Sequence, residues 1–146
     1  MKTKKKLILT LLLSIFIITQ STSVPVEIDN FNVFSKIALK RLIYILEIQH
    51  PDIVFIQAQI ESANFTSNIF RENNNLFGMK MAEKRKTMAV GINRGHAKYS
   101  SWQNSVLDYK LMQKKYAHNK TRDQYFVYLK KYAEDPNYVN KIKKRL

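Results

Sequence analysis

The sequence predicts a mainly α, α+β domain in which helices surround one small β-hairpin. Three observations carry this expectation. Apolar residues recur at three- and four-residue steps over several long stretches, the spacing that lines one face of a helix. Asn93-Arg94-Gly95 separates two short runs of different character, and Asn and Gly tolerate the positive φ of a tight hairpin turn. No cysteine occurs in the 146 residues, so burial and helix packing, not disulfides, must hold the fold.

The chain opens with Lys2, Lys4, Lys5 and Lys6, continues through an apolar run over residues 7–18, and then reaches Ser21-Thr22-Ser23. This is the three-part layout of a secretory signal peptide, assigned to residues 1–23, with an uncleaved N-terminal anchor as the alternative. The run is shorter than the ~20 residues of a membrane-spanning helix, so no membrane span is expected after signal cleavage. A lipid-modified cysteine is excluded because none is present. Residues 24–146 form the expected domain, long enough to bury an ordinary single core.

Residues 24–30 read as a lead-in. Over residues 31–49, Phe34, Ile37, Ala38, Leu42, Ile45 and Leu46 trace the apolar face of an amphipathic helix. His50-Pro51-Asp52 then punctuates, since Pro suits the first helical position and Asp the positive end of the helix dipole. The second helix should end near Ser62, with Ile53, Gln57 and Glu61 on one stripe and Ile56 and Ile60 toward the core. An Asn-rich loop runs on to Lys80, and residues 87–92 and 96–99 supply the hairpin. A helix follows to about Tyr116, with Ser100 as cap, Gln103 at the capping-box position, and a buried face of Trp102, Val106, Tyr109 and Met112. Helices over residues 122–133 and 137–145, broken at Asp135-Pro136, complete the chain.

The formal charge is +14, or +10 without the four signal lysines. Such a balance favours anionic partners, and export leaves lipid head groups and cell-wall polymers ahead of nucleic acid. A solvated basic surface is the plainer reading of the run Lys141, Lys143, Lys144 and Arg145. His50, His96 and His118 lack ligand spacing, so no metal site and no cofactor is expected.

Glu61 ends an apolar helical run and faces a polar loop. Cleaving a glycosidic bond needs a carboxylic acid that keeps its proton near neutral pH, and the apolar neighbours Ile60, Ala63 and Phe65 would raise the pKa of Glu61. By itself a Glu at a helix end is more often a solvated surface residue. Asn73 and Asn74 could bond the N-acetyl and hydroxyl groups of a sugar or satisfy turn backbone; Asn75 and Phe77 read as mainly structural. Tyr99 and Trp102 could stack on sugar faces, although a Trp at a helix start is more often core.

Two blocks in order, Ala58, Gln59, Glu61 and Ser62 and then Asn-Leu-Phe-Gly-Met-Lys at residues 75–80, resemble the bacterial glucosaminidases of glycoside hydrolase family seventy-three. The resemblance runs from about Asp52 to Asn140, through Tyr99-Ser100-Ser101 with Ser105, Asp108 and Tyr109, and through Tyr132-Ala133-Glu134-Asp135-Pro136-Asn137-Tyr138. It implies a lysozyme-like helical fold with a small β-lobe across a cleft, cleavage of the β-1,4 bond after N-acetylglucosamine in peptidoglycan, and Glu61 as general acid. Peptidoglycan glycan strands are the implied partner, and a monomer is expected.

Many relatives carry a second carboxylate in the β-lobe. Between Lys80 and Trp102 the sole acid is Glu83, read as salt-bridged among Lys84, Arg85 and Lys86. A substrate-assisted route then follows, with the 2-acetamido group attacking the anomeric carbon and Tyr132 orienting it; packing between the last two helices is the alternative role of Tyr132. The C-terminal signature adds Tyr138 to the expected substrate-binding residues Asn73, Asn74 and Tyr99. The rival readings are a lytic transglycosylase, whose Gly-Leu-Met-Gln loop is replaced here by Asn-Leu-Phe-Gly, and a non-catalytic wall-binding or assembly module.

Overall fold

A computed structural model describes residues 33–146; the signal-peptide and lead-in assignments lie outside the described residues. Among the described residues six helices and one hairpin follow in the order α1 (Lys36–Ile45), α2 (Pro51–Glu61), α3 (Asn68–Asn73), β1 (Gly91–Asn93), β2 (His96–Lys98), α4 (Trp102–Tyr116), α5 (Arg122–Tyr132) and α6 (Tyr138–Lys143). Among the described residues no helix is long and apolar enough to cross a membrane.

α1 starts where the Ser35 side chain accepts from the Ala38 amide at 3.0 Å. It is shorter than its periodicity suggests, and its face is rotated. Leu39 and Ile43 are the buried residues, while Ile37 and Ile45, expected inside, are 76% and 57% exposed. Pro51 opens α2, whose first-turn Asp52 pairs with Arg122 of α5 at 2.7 Å.

α2 is the organising helix because it is buried on two sides. Val54 and Ala58 join a cluster with Leu39, Leu76, Phe77, Tyr99, Trp102 and Val106. Ile53 and Ile56 join a second cluster with Tyr125, Leu129, Tyr138 and Ile142. Gln57, expected beside Glu61 on an outward stripe, is fully buried between them. Ile60 is half-buried, packing against the second cluster as expected and also lining a cleft.

After α2 the backbone turns left-handed at Ala63, Asn64 and Phe65, with φ of 49°, 55° and 69°. The turn is tied down by the Ser62 hydroxyl, which donates to the Ala58 carbonyl at 2.6 Å and accepts from the Phe65 amide at 2.9 Å. It sends the Phe65 ring away from Glu61 toward Phe34, 5.0 Å between centroids. Part of the expected Asn-rich loop is the short helix α3, capped by Ser67.

The hairpin forms as the sequence predicts, with strands shorter than expected. Gly91 pairs with Lys98 and Asn93 with His96, around Arg94 and Gly95, both at positive φ (53° and 73°). α4 is capped by Ser101, one residue later than expected, while the Ser100 hydroxyl accepts from Asn104 Nδ2 at 2.7 Å. Thr121 and Gln124 close a reciprocal capping box on α5.

Candidate active site

Glu61 is the last residue of α2 and opens into a cleft of about 920 Å³, bounded by Phe77, Gly78 and Met79, by residues 80–85, and by Tyr132, Asp135 and Tyr138. The cleft exists because the chain crosses over the end of α2 at Gly78. Its φ is +61°, and a Cβ added there would lie 3.3 Å from Glu61 Oε2. Glycine therefore serves both the turn and the close approach to the carboxylate.

The turn is held from inside by Asn75. Its Nδ2 donates to the carbonyls of Met79 (2.8 Å) and Ala97 (2.9 Å), and its Oδ1 accepts from the amides of Phe77 (3.3 Å) and Met79 (3.1 Å). One buried side chain thus fixes the loop and ties it to β2, the structural part expected of it. Tyr132 supports the loop from the other side, donating to the Phe77 carbonyl at 3.0 Å.

Burial pushes the Glu61 carboxyl above its ordinary value, and a hydrogen bond from the Tyr138 hydroxyl only partly counteracts this. The direction matches the sequence reading, but the neighbours differ. Of the expected three, Ile60 lines the cleft beside the acid while Ala63 and Phe65, in the left-handed run, do not; Phe77, Met79 and the two tyrosines complete the surround. Burial, with Glu61 nearby, likewise pushes the Tyr132 and Tyr138 hydroxyls up, so both stay protonated through the physiological range.

Tyr132 and Tyr138 are thus brought to Glu61. Asn73, Asn74 and Tyr99, expected to bind sugar, are not. Asn73 is fully buried, donating to the Asn93 carbonyl at 2.8 Å and accepting from Asn93 Nδ2 at 2.7 Å. Asn74 takes the left-handed position after α3 and donates to the Tyr99 carbonyl at 3.1 Å. Tyr99 is 1% exposed, and its hydroxyl donates to Asp108 at 2.8 Å. Trp102 is likewise core, edge-on to Phe34. Polar side chains in short turns here bond backbone groups, as buried amides and carbonyls require partners.

Glu83 lines the cleft as an exposed side chain. Among the described residues it forms no salt bridge, and Arg85, one of the expected partners, turns inward to Asp108 with contacts of 2.7 and 3.1 Å. Asp108 is fully buried and also accepts from the Met88 amide at 3.0 Å. This clamp ties Arg85, at the end of the cleft wall, and Met88 beyond it to α4, and sequence reasoning missed it.

The sequence profile of the family described as mannosyl-glycoprotein endo-beta-N-acetylglucosaminidase matches residues 41–146. Protein bax of Escherichia coli K12 is 39% identical over 74 residues, 51% of this chain. The chain covers only 27% of that relative. Among solved structures, a C-terminally truncated glycoside hydrolase domain of FlgJ from Salmonella typhimurium is 27% identical, with a TM-score of 0.50 over 73% of this chain and 89% of that one. The likeness covers the mostly helical fold with its small antiparallel hairpin. With its family profile spanning α2 to α6, the chain belongs to the glucosaminidase family of glycoside hydrolases.

Proposed function

We propose that this protein is an exported peptidoglycan hydrolase, an endo-β-N-acetylglucosaminidase that cleaves the β-1,4 bond after N-acetylglucosamine with Glu61 as general acid. The observation that carries the reading is the Glu61 carboxyl, held partly out of water in a cleft of about 920 Å³ and thereby kept protonated to higher pH. As the C1–O bond breaks, Glu61 gives its proton to the departing glycosidic oxygen. The carbonyl oxygen of the substrate's own 2-acetamido group bonds to C1 and forms an oxazolinium ion. Water then adds at C1, the ring opens, and the proton lost from that water returns to Glu61. The Tyr132 hydroxyl uses its hydrogen in the bond to the Phe77 carbonyl, so its oxygen serves as acceptor for the acetamido N–H and aims the group at C1.

Digestion of purified wall followed by mass analysis of the fragments tests the reaction. Reducing N-acetylglucosamine ends are expected; anhydro-muramic ends would instead make the protein a lytic transglycosylase, and binding without cleavage a wall-binding module. In the same assay Glu83→Gln is expected to retain activity, because the acetamido group supplies the nucleophile. A large loss in that variant would sink the substrate-assisted route.

Gly78→Ala should damage both stability and turnover. A left-handed alanine costs about 1–2 kcal/mol, and its methyl would press on Glu61 Oε2 from 3.3 Å. The expected results are a lower melting temperature and a rate reduced on the order of 10-fold through displacement of the acid.

A further inference from the structure

A run of buried hydrogen bonds leads from the α1–α2 turn through the core to Glu61, and its direction can be assigned from its far end. The Gln49 backbone N–H donates to Gln113 Oε1 at 2.9 Å, and Gln113 Nε2 donates to the Gln49 carbonyl, also at 2.9 Å. A backbone N–H can only donate and a carbonyl only accept, so the Gln113 amide has one orientation. The remaining Nε2 hydrogen goes to the Tyr125 hydroxyl at 3.3 Å, making that oxygen an acceptor.

The Tyr125 and Tyr109 hydroxyls bond one another, and both reach Gln57 Oε1, Tyr109 at 2.6 Å and Tyr125 at 3.3 Å. Of their two protons one joins the hydroxyls to each other, and the other, on the shorter contact from Tyr109, holds the oxygen of the Gln57 amide on their side. Its nitrogen therefore faces Tyr138, donating to that hydroxyl at 3.3 Å. A hydroxyl that accepts from Gln57 still has its single proton to give, and the Glu61 carboxyl, one helical turn beyond Gln57, lines the same cleft as Tyr138 and is the acceptor there.

We propose that Gln57 is a positioning residue: anchored through Tyr109, Tyr125 and Gln113 to the Gln49 backbone, it turns the Tyr138 proton toward Glu61. The carboxyl oxygen that does not accept from Tyr138 is then the one that carries the acid proton into the cleft. A reversed Gln57 amide would put its oxygen against Tyr138 and take that proton instead. The hydroxyl would then be free to accept from Glu61 and draw the acid proton away from substrate. This inference rests on the glucosaminidase reading for its catalytic meaning, not for its geometry.

Other titratable groups also surround the acid. Tyr132 faces it from α5; Lys80, Glu83, Lys84 and Arg85 line the cleft ahead of the hairpin, and His96 lies within the hairpin. Glu134 and Asp135 come from the α5–α6 turn. Tyr116 lines the cleft from α4. These groups are common to wild type and every variant, so the comparison between variants isolates Gln57 and Tyr138.

The test is a carbon-13 titration of the Glu61 side-chain carboxyl in the full chain, its signal assigned by its disappearance in Glu61→Gln. Gln57→Met is expected to raise the Glu61 midpoint by about one pH unit, Tyr138→Phe to do the same, and the double variant to move it no further. An unmoved midpoint in either single variant, or shifts that add in the double, overturns the proposal. Should Gln57→Met fail to fold, Tyr138→Phe and Gln113→Met decide it, the latter with a smaller rise in the same direction. The titration needs no substrate. A wild type that leaves wall uncut therefore sinks the glucosaminidase reading alone, and an unmoved midpoint in an active enzyme sinks the relay alone.

Discussion

Glu61→Gln is expected to lower wall cleavage by about 10²–10⁴-fold while making the protein more heat-resistant at neutral pH. The loss follows from removing the positioned proton donor, since an amide of the same shape cannot protonate the departing oxygen. The gain follows from linkage. Burial raises the folded-state pKa of Glu61 above its unfolded value, so between the two values the folded state holds the proton more tightly. Stability from this group is thus fully present below the unfolded value and is lost as pH rises through the folded one. Glutamine carries no such penalty. Its advantage in melting temperature should appear above that window and vanish below it, measured by thermal scans at matched ionic strength. A variant that is both inactive and no more stable at neutral pH would mean that the acid is not shielded as described.

Asp108→Ala is expected to destabilise the fold by about 3–5 kcal/mol, because it strands a buried guanidinium. The Arg85 side chain is 9% exposed and that of Asp108 fully buried, and the same carboxylate takes the Tyr99 hydroxyl and the Met88 amide. Burial raises the Asp108 pKa, yet hydrogen bonds from Arg85, Tyr99 and the Met88 amide outweigh it and hold the group below its ordinary 3.8. For a depressed carboxylate the stabilisation is present above the unfolded value and is lost as pH falls through the folded one. The melting temperature should therefore drop by more than about 10 °C at neutral pH, with the gap to wild type narrowing below about pH 4. Equal melting temperatures at pH 7 would show that the clamp contributes nothing.

The elements were legible wherever one periodicity or one turn signal dominated. The helices of the second half, the break at Asp135-Pro136 and the Arg94-Gly95 turn form as their local chemistry dictates. α1 misled because apolar residues occur on both of its faces, so Ile37 and Ile45 fit the helical spacing while pointing to solvent. Gln57 misled for the opposite reason. Four residues before Glu61, a polar side chain reads as outward, and only the second hydrophobic cluster on that flank of α2 makes it interior.

Glu61 and the turn at Gly78 were visible as a motif, since their spacing is local. Tyr132 and Tyr138 were visible too, in the C-terminal signature, but the hydrogen bonds that place them and the cleft wall were not. Tyr138 lies 81 residues from Gln57, and Arg85 lies 23 from Asp108, so neither partnership leaves a local pattern. Asparagine is ambiguous for a chemical reason: the same amide binds a sugar hydroxyl or a stranded carbonyl equally well. At Asn73 and Asn74 only burial decides between them.

That α2 feeds both hydrophobic clusters also governs how the molecule comes apart. Neither half can loosen while the other stays intact, since each would have to release the same central rod. Heat should accordingly erase catalysis and near-ultraviolet tertiary signals in one cooperative step, with no inactive yet ordered species along the way.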